Sequence, residues 1–258
     1  MWLQRYEFFP FFFVDRKKSY NFAATFRKME KETFIDCLER QAPLIEEIRL
    51  SAHQLHQDVN QQYGHGLPYG YHLDMVVSNI REFGHLVCAG ADDVLPLVFG
   101  GYFHDSIEDA RQTYNDVMNR ARLLMTEEQA HLATEIVYAL TNDKGRTRAE
   151  RAGEAYYQGI RTTPYAPFVK LCDRLANITY TCSGVDSENV RMRRVYKSEM
   201  PHFLESINPH SDDARLAVPF EVVFRLAQCL VDDMDRLEKK YGVAPNRMDN
   251  YLWLFDDV

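Results

Sequence analysis

From Lys31 to about Tyr63, apolar residues recur at helical spacing: Phe34, Ile35, Leu38, Leu44, Ile45, Ile48 and Leu55. Gly64, Gly66 and Pro68 then interrupt the pattern. The next periodic stretch carries His72 near its start and runs through Met75, Val76, Ile80 and Phe83 toward Val87. Ala91-Asp92-Asp93 offers N-cap chemistry for a third helix, continuously apolar, that ends at His104-Asp105. Further helices are predicted over residues 113–125, 126–140, 148–161, 164–181, 189–207 and 214–241. Thr126 and Pro164 read as helix starts, and Gly145, Gly184 and Gly242 as stops. No run alternates with period two for long enough to demand a sheet. The pattern describes one all-α domain over residues 31–241, preceded by an extension (1–30) and followed by a tail (242–258).

Composition changes this picture little. At 258 residues, with 46% hydrophobic and 26% charged side chains, the chain can bury a sizeable core. A net charge of -8 and a pI near 5.6 disfavour a nucleic-acid partner. Small phosphate esters stay possible, because a bound cation with a few Lys or Arg reverses the local field. Cys37, Cys88, Cys172, Cys182 and Cys229 are odd in number and form no CxxC pair, which suits a reducing cytoplasm. Cys172, beside Asp173, reads as a buried apolar residue rather than a ligand or nucleophile.

The aromatic run Phe8 to Val14 is too short to span a bilayer and contains Pro10, so no membrane partner is expected. It also lacks the basic start and cleavage site of a secretion signal. An anchor on the domain, a partner peptide and translated upstream sequence are the open readings; the helical pattern that opens at Met29 favours the last.

Candidate chemistry lies in GYFHDSIEDA, Gly101 to Ala110. Glu108 follows His104 by four residues and Asp109 follows Asp105 by four, so two polar stripes rise from one surface. Such groups beside an apolar run are costly to bury unless a cation compensates them. A solvated helix end is the bland alternative. PFVKLCDRLANI places Asp173 in a helix with apolar stripe Phe168, Leu171, Leu175 and Ile178; Asn177 lies one turn on, and Lys170 and Arg174 flank it. The bland reading of Asp173 is a salt bridge to Lys170 or Arg174. The sharper one is a metal ligand beside cations that meet phosphate.

In order, H…HDxxED…KLxDRLxN resembles the HD-domain metal-dependent phosphohydrolases, most closely the RelA/SpoT-type alarmone hydrolases. The matching pieces are GLPYGYH (66–72), FHDSIEDA (103–110), EIVYALT (135–141) and VKLCDRLANI (169–178), within a resemblance covering residues 55–207. HD alone is a weak signal; with ED and the DRLxN helix it is strong. The resemblance implies a helical HD-domain bundle in which His72, His104, Asp105 and Asp173 hold one divalent metal. Manganese is expected, with iron or zinc compatible with the donors. It further implies that Glu108 and Asp109 orient and deprotonate the attacking water. Lys170, Arg174, Asn177, Arg148 and Tyr196 would support the site or meet the substrate, a small-molecule nucleotide. The sharpest form is guanosine 3′,5′-bis(diphosphate) losing its 3′-pyrophosphate. A nucleotidase, a cyclic-nucleotide phosphodiesterase and a non-catalytic nucleotide-binding protein are the alternatives.

One departure bears on the base. Where the family has a basic HxGQxRK stretch, this chain has His56-Gln57-Asp58-Val59-Asn60-Gln61-Gln62, with no Arg or Lys. The remainder after Ile207 is too short for a synthetase-like domain. His53, His56 and His65 lack a carboxylate pair and read as surface polarity. The segment TNDKGRTRAER (141–151) reads as an interhelical loop or a flap reaching phosphate.

Overall fold

This computed structural model describes residues 29–142, 153–184 and 186–241, of which 231–241 are described as backbone only. The aromatic start, Gly145, Arg148, Gly242 and the tail lie outside the described residues.

The first periodic stretch forms two helices, α1 (Lys31–Arg40) and α2 (Ala42–Asp58), rather than one. Gln41 separates them, and Pro43, in the first turn of α2, has no N–H to carry the ladder across. Each helix therefore buries its own stripe: Phe34, Cys37 and Leu38 on α1, and Ile45, Ile48, Ala52 and His56 on α2. Ile35 and Leu44, expected in a single apolar stripe, face solvent. Beyond α2, two short strands, β1 (Gln62–Tyr63) and β2 (Leu67–Pro68), pair antiparallel. Gly64 and Gly66 turn the hairpin at positive φ, where a side chain would be strained.

Next come α3 (Gly70–Phe83) and α4 (Val94–Phe103). Every residue of α4 is buried, as a helix apolar on all sides requires. Asp93 does not cap it. Ala91–Asp93 makes a 3-10 turn instead, and the Asp93 carboxylate accepts the Tyr165 hydroxyl at 2.5 Å. α5 (Tyr114–Arg122) and α6 (Glu127–Leu140) each begin on a capping box, Thr113 with Asp116 and Thr126 with Gln129.

The remaining helices are α7 (Glu154–Thr162), α8 (Ala166–Ser183), α9 (Ser187–Ile207) and α10 (Phe220–Tyr241). The predicted start at Pro164 moves to Ala166, with Pro167 in the first turn. Tyr165 before it adopts φ 68 and is fully buried, held by its hydroxyl to Asp93 and its N–H to the Arg215 carbonyl. The helix predicted from Ala214 begins instead at Phe220. Residues before it form only a 3-10 turn, Ala214–Leu216, because Pro219 disfavours helical backbone at Val218.

The ten helices among the described residues share one apolar core. α4 packs on α2, α3 and α6, and α8 packs on α3, α9 and α10. α3 touches both central helices, so its first turn lies where the end of α4 meets the middle of α8. The approach of α4 to α6 is close: a Cβ on Gly100 would stand 2.6 Å from Ile136 Cγ2. Among the described residues, no helix is long and apolar enough to cross a membrane.

Candidate metal centre

Three elements bring the predicted ligands together. His72 comes from the first turn of α3, His104 and Asp105 from the end of α4, and Asp173 from mid-α8. His72 Nε2 lies 3.3 Å from His104 Nε2, 3.4 Å from Asp173 Oδ1 and 3.7 Å from Asp105 Oδ2. His104 Nε2 lies 2.9 Å from Asp105 Oδ2 and 3.9 Å from Asp173 Oδ1. Both imidazoles are only 1% exposed. His72, His104 and Asp173 form a buried group whose donor atoms all fall within 4.8 Å of one another, and Asp105 adds an oxygen beside both rings.

The donor set fits a divalent cation. His104 Nδ1 donates to the Gly101 carbonyl at 2.9 Å, which fixes the neutral tautomer and leaves the Nε2 lone pair facing inward. The His72 Nε2 faces the same space, with the two carboxylates alongside. Two imidazole nitrogens and two carboxylate oxygens are the donor types a divalent cation takes. With protons alone, burial opposes a charge on His104, but Asp105 and Asp173 outweigh it and push its pKa up to about 9. His72 Nδ1 is buried with no hydrogen-bond partner among the described residues, and Tyr63 stacked 4.9 Å away orients the ring.

Around the ligands lies a shell of polar contacts. Asn177 Nδ2 donates to Asp173 Oδ1 at 2.6 Å, and Asn177 Oδ1 accepts the Tyr63 hydroxyl at 2.9 Å. Lys170 Nζ donates to Asp173 Oδ2 at 3.0 Å and lies 5.8 Å over the Tyr156 ring. The bland salt bridge and the ligand role thus use different oxygens of one carboxylate. Burial alone would raise the Asp173 pKa; Lys170 and the two imidazoles hold it well below the usual range. Tyr69 donates to Asp105 Oδ2 at 2.5 Å.

Past His104 the backbone leaves the helix as a succession of turns, closed by the Asp109 N–H to the Asp105 carbonyl at 2.8 Å. Asp109 Oδ2 accepts from Gln61 Nε2 at 2.7 Å and lies 3.5 Å from the Tyr69 hydroxyl. Burial first, and then the Asp105 charge, raise the Asp109 pKa against the opposing Gln61 bond. Glu108 takes the Asn142 side-chain amide at 2.7 and 3.0 Å.

Other expected residues lie further out. Arg174 bonds Glu199 at 2.9 Å and stacks on Tyr196 and Phe203 at 4.9 and 4.3 Å, so its guanidinium braces α8 against α9. Tyr196 is buried under that guanidinium. Cys172 is buried, and burial pushes its thiol pKa well up, which suits an inert core residue.

The three histidines before the motif do not behave alike. His53 bonds Asp74 at 3.1 Å and His65 meets Asp186, but His56 is 1% exposed and stacked 4.5 Å from Tyr69. Surface polarity is therefore the wrong description of His56, which lies beneath the site because α2 ends there. The sequence reading also missed Tyr63, Tyr69, Gln61 and Asn142. Tyr69 had a signal: it precedes His72 by three residues, one helical turn on the same face. No protein-family model matches the chain, and no curated protein matches it.

Proposed function

We propose that the chain is an HD-type metal-dependent phosphohydrolase acting on a nucleotide, in its sharpest form removing the 3′-pyrophosphate of guanosine 3′,5′-bis(diphosphate). The observation that carries this reading is the buried convergence of His72, His104, Asp105 and Asp173, with Asp109 one tyrosine hydroxyl away from Asp105. A structural metal site would not require two further acids, Glu108 and Asp109, on the turn that leaves its ligands.

The four ligand side chains would hold the cation, manganese being the one the motif suggests. A divalent ion there supplies a Lewis acid that acidifies water and offsets charge on phosphorus. Asp109 takes the proton of the attacking water, and its raised pKa moves it toward the range of an efficient base. Glu108, held by Asn142, orients the same water. Lys170 fixes and neutralises Asp173, and Arg174 supports α8 from the far side. Tyr63 and Tyr69 cover the ligands and limit the access of bulk water.

The test is purified protein with manganese against a nucleotide panel, reading phosphate and pyrophosphate release. Nucleoside monophosphates and cyclic nucleotides belong in the panel, because no Arg or Lys lies between His56 and Gly66 to fix a guanine. Manganese-dependent turnover that disappears in His104→Ala and Asp105→Ala supports the reading. Turnover that survives either change, or no release from any member, overturns it.

A further inference from the structure

We infer that His56 and Gln61 form a two-residue relay that positions the Asp109 carboxylate. Among the described residues the Gln61 side chain bonds His56 and Asp109, so it acts through Asp109 and is a positioning residue. The role presupposes Asp109 as the acid that takes the proton of water.

Local backbone chemistry builds the relay. Asn60 ends α2 at φ 55, in the left-handed region that Asn tolerates better than most residues. The Asn60 N–H then bonds the Gln57 carbonyl at 2.9 Å, and the Gln61 N–H the His56 carbonyl at 3.0 Å. This pair of bonds is the Schellman helix ending, and it folds Gln61 back over His56. The side chains follow, with His56 Nδ1 2.5 Å from Gln61 Oε1.

The direction of each hydrogen bond is forced from the far end. An ionised carboxylate only accepts, so Gln61 must present its NH2 to Asp109 Oδ2, at 2.7 Å. Gln61 Oε1 is then the atom facing His56, and His56 Nδ1 must carry the hydrogen. In neutral imidazole that leaves Nε2 as a bare lone pair. His56 Nε2 is buried with no partner among the described residues, where a second hydrogen would find no acceptor. Stacking on Tyr69, whose hydroxyl holds Asp105, keeps the ring in place. Gln61 thereby pins Oδ2 of Asp109.

A double-mutant cycle tests this. Gln61→Met keeps the length of the side chain but loses the amide. It should lower kcat about 10–100-fold with KM and bound manganese little changed. In an Asp109→Asn background the same change should add almost nothing, since the relay has no other target. Equal losses in both backgrounds would overturn the relay, as would a Gln61→Met enzyme with wild-type kcat. His56→Phe keeps the ring but cannot donate, and should lower kcat in the same direction.

A readout without turnover separates this inference from the functional one. In metal-free protein, the Gln61 side-chain amide protons should be protected from solvent exchange by NMR, and Asp109→Ala should remove that protection with helical content by circular dichroism unchanged. Unprotected Gln61 amide protons in the folded wild-type protein refute the relay whether or not the protein hydrolyses nucleotides. Failure of every nucleotide in the panel refutes only the catalytic reading.

Discussion

Asn177 holds Asp173 from one helical turn away: its amide nitrogen donates to Asp173 Oδ1 at 2.6 Å, the oxygen that also faces His72 at 3.4 Å. The other end of the same amide accepts from Tyr63, so the Asn177 rotamer is fixed from the hairpin. Asn177→Leu removes both contacts at similar volume. Manganese affinity should fall about 10–100-fold, the usual scale for partners that orient a ligand. Isothermal titration would measure it, and unchanged affinity would show that Lys170 alone orients Asp173.

Lys170 is the buried counter-charge of Asp173, with side chains 17% and 11% exposed. Removing one partner of a buried pair leaves the other uncompensated, at a cost of about 3 kcal/mol. Lys170→Met should therefore lower the unfolding free energy of the metal-free protein, measured by urea denaturation, by that amount. Manganese should return part of the loss, because the ion takes over as counter-charge and binds only the folded state. An identical deficit with manganese and with chelator would mean that the ion does not sit against Asp173.

Glu108→Gln and Asp109→Asn separate ligands from acids. Both should retain bound manganese and lose about 10²–10⁴ in rate, the scale for positioned acid–base groups. Elemental analysis beside turnover decides between roles. Loss of metal along with rate would make these acids ligands.

Packing sets the geometry of the end of α4. Gly100 lies against Ile136, and the Gly101 carbonyl fixes the His104 tautomer. Gly100→Val would have to push α4 away from α6, at about 1–3 kcal/mol for an overpacked core. Denaturant unfolding should show that loss, and manganese affinity should fall with it because His104 and Asp105 ride on the displaced end. A stable variant with unchanged affinity would show that Ile136 alone absorbs the added bulk.

Much of this was legible in the sequence because the relevant signals are local. Apolar periodicity located the helices, Thr126 read as a helix start, and the resemblance carried by HDxxED and DRLxN named His72, His104 and Asp173, which the fold brings together. Breaks that depend on one backbone angle were harder to see, as at Gln41 and Pro219, where the apolar pattern runs on across the break. The supporting shell was least visible. Tyr63 meets Asn177 and Gln61 meets Asp109 only after three helices and a hairpin have packed, and no periodicity encodes such contacts. His56 was misjudged for the same reason: a polar residue near a helix end looks exposed until the next segment folds over it.

The segment from His56 to Gly66 also bears on base selectivity. It contains no Arg or Lys, and three of its side chains, His56, Gln61 and Tyr63, are already engaged. His56 holds Gln61, Gln61 holds Asp109, and Tyr63 holds Asn177 while stacking on His72. None of these three can turn to a nucleobase without releasing a group that supports the site. A site built to hydrogen-bond a substrate rejects the wrong one by about 10⁴, whereas an apolar slot manages about 10–200-fold. The smaller range is expected here for guanosine against adenosine 3′,5′-bis(diphosphate), measured as the ratio of kcat/KM. Gln61→Arg should not create guanine preference, because it removes the Asp109 contact, and kcat should fall for both substrates alike. A wild-type preference above about a thousandfold, beyond what an apolar slot supplies, would assign base recognition to another group, Gln62 or a residue of the C-terminal extension.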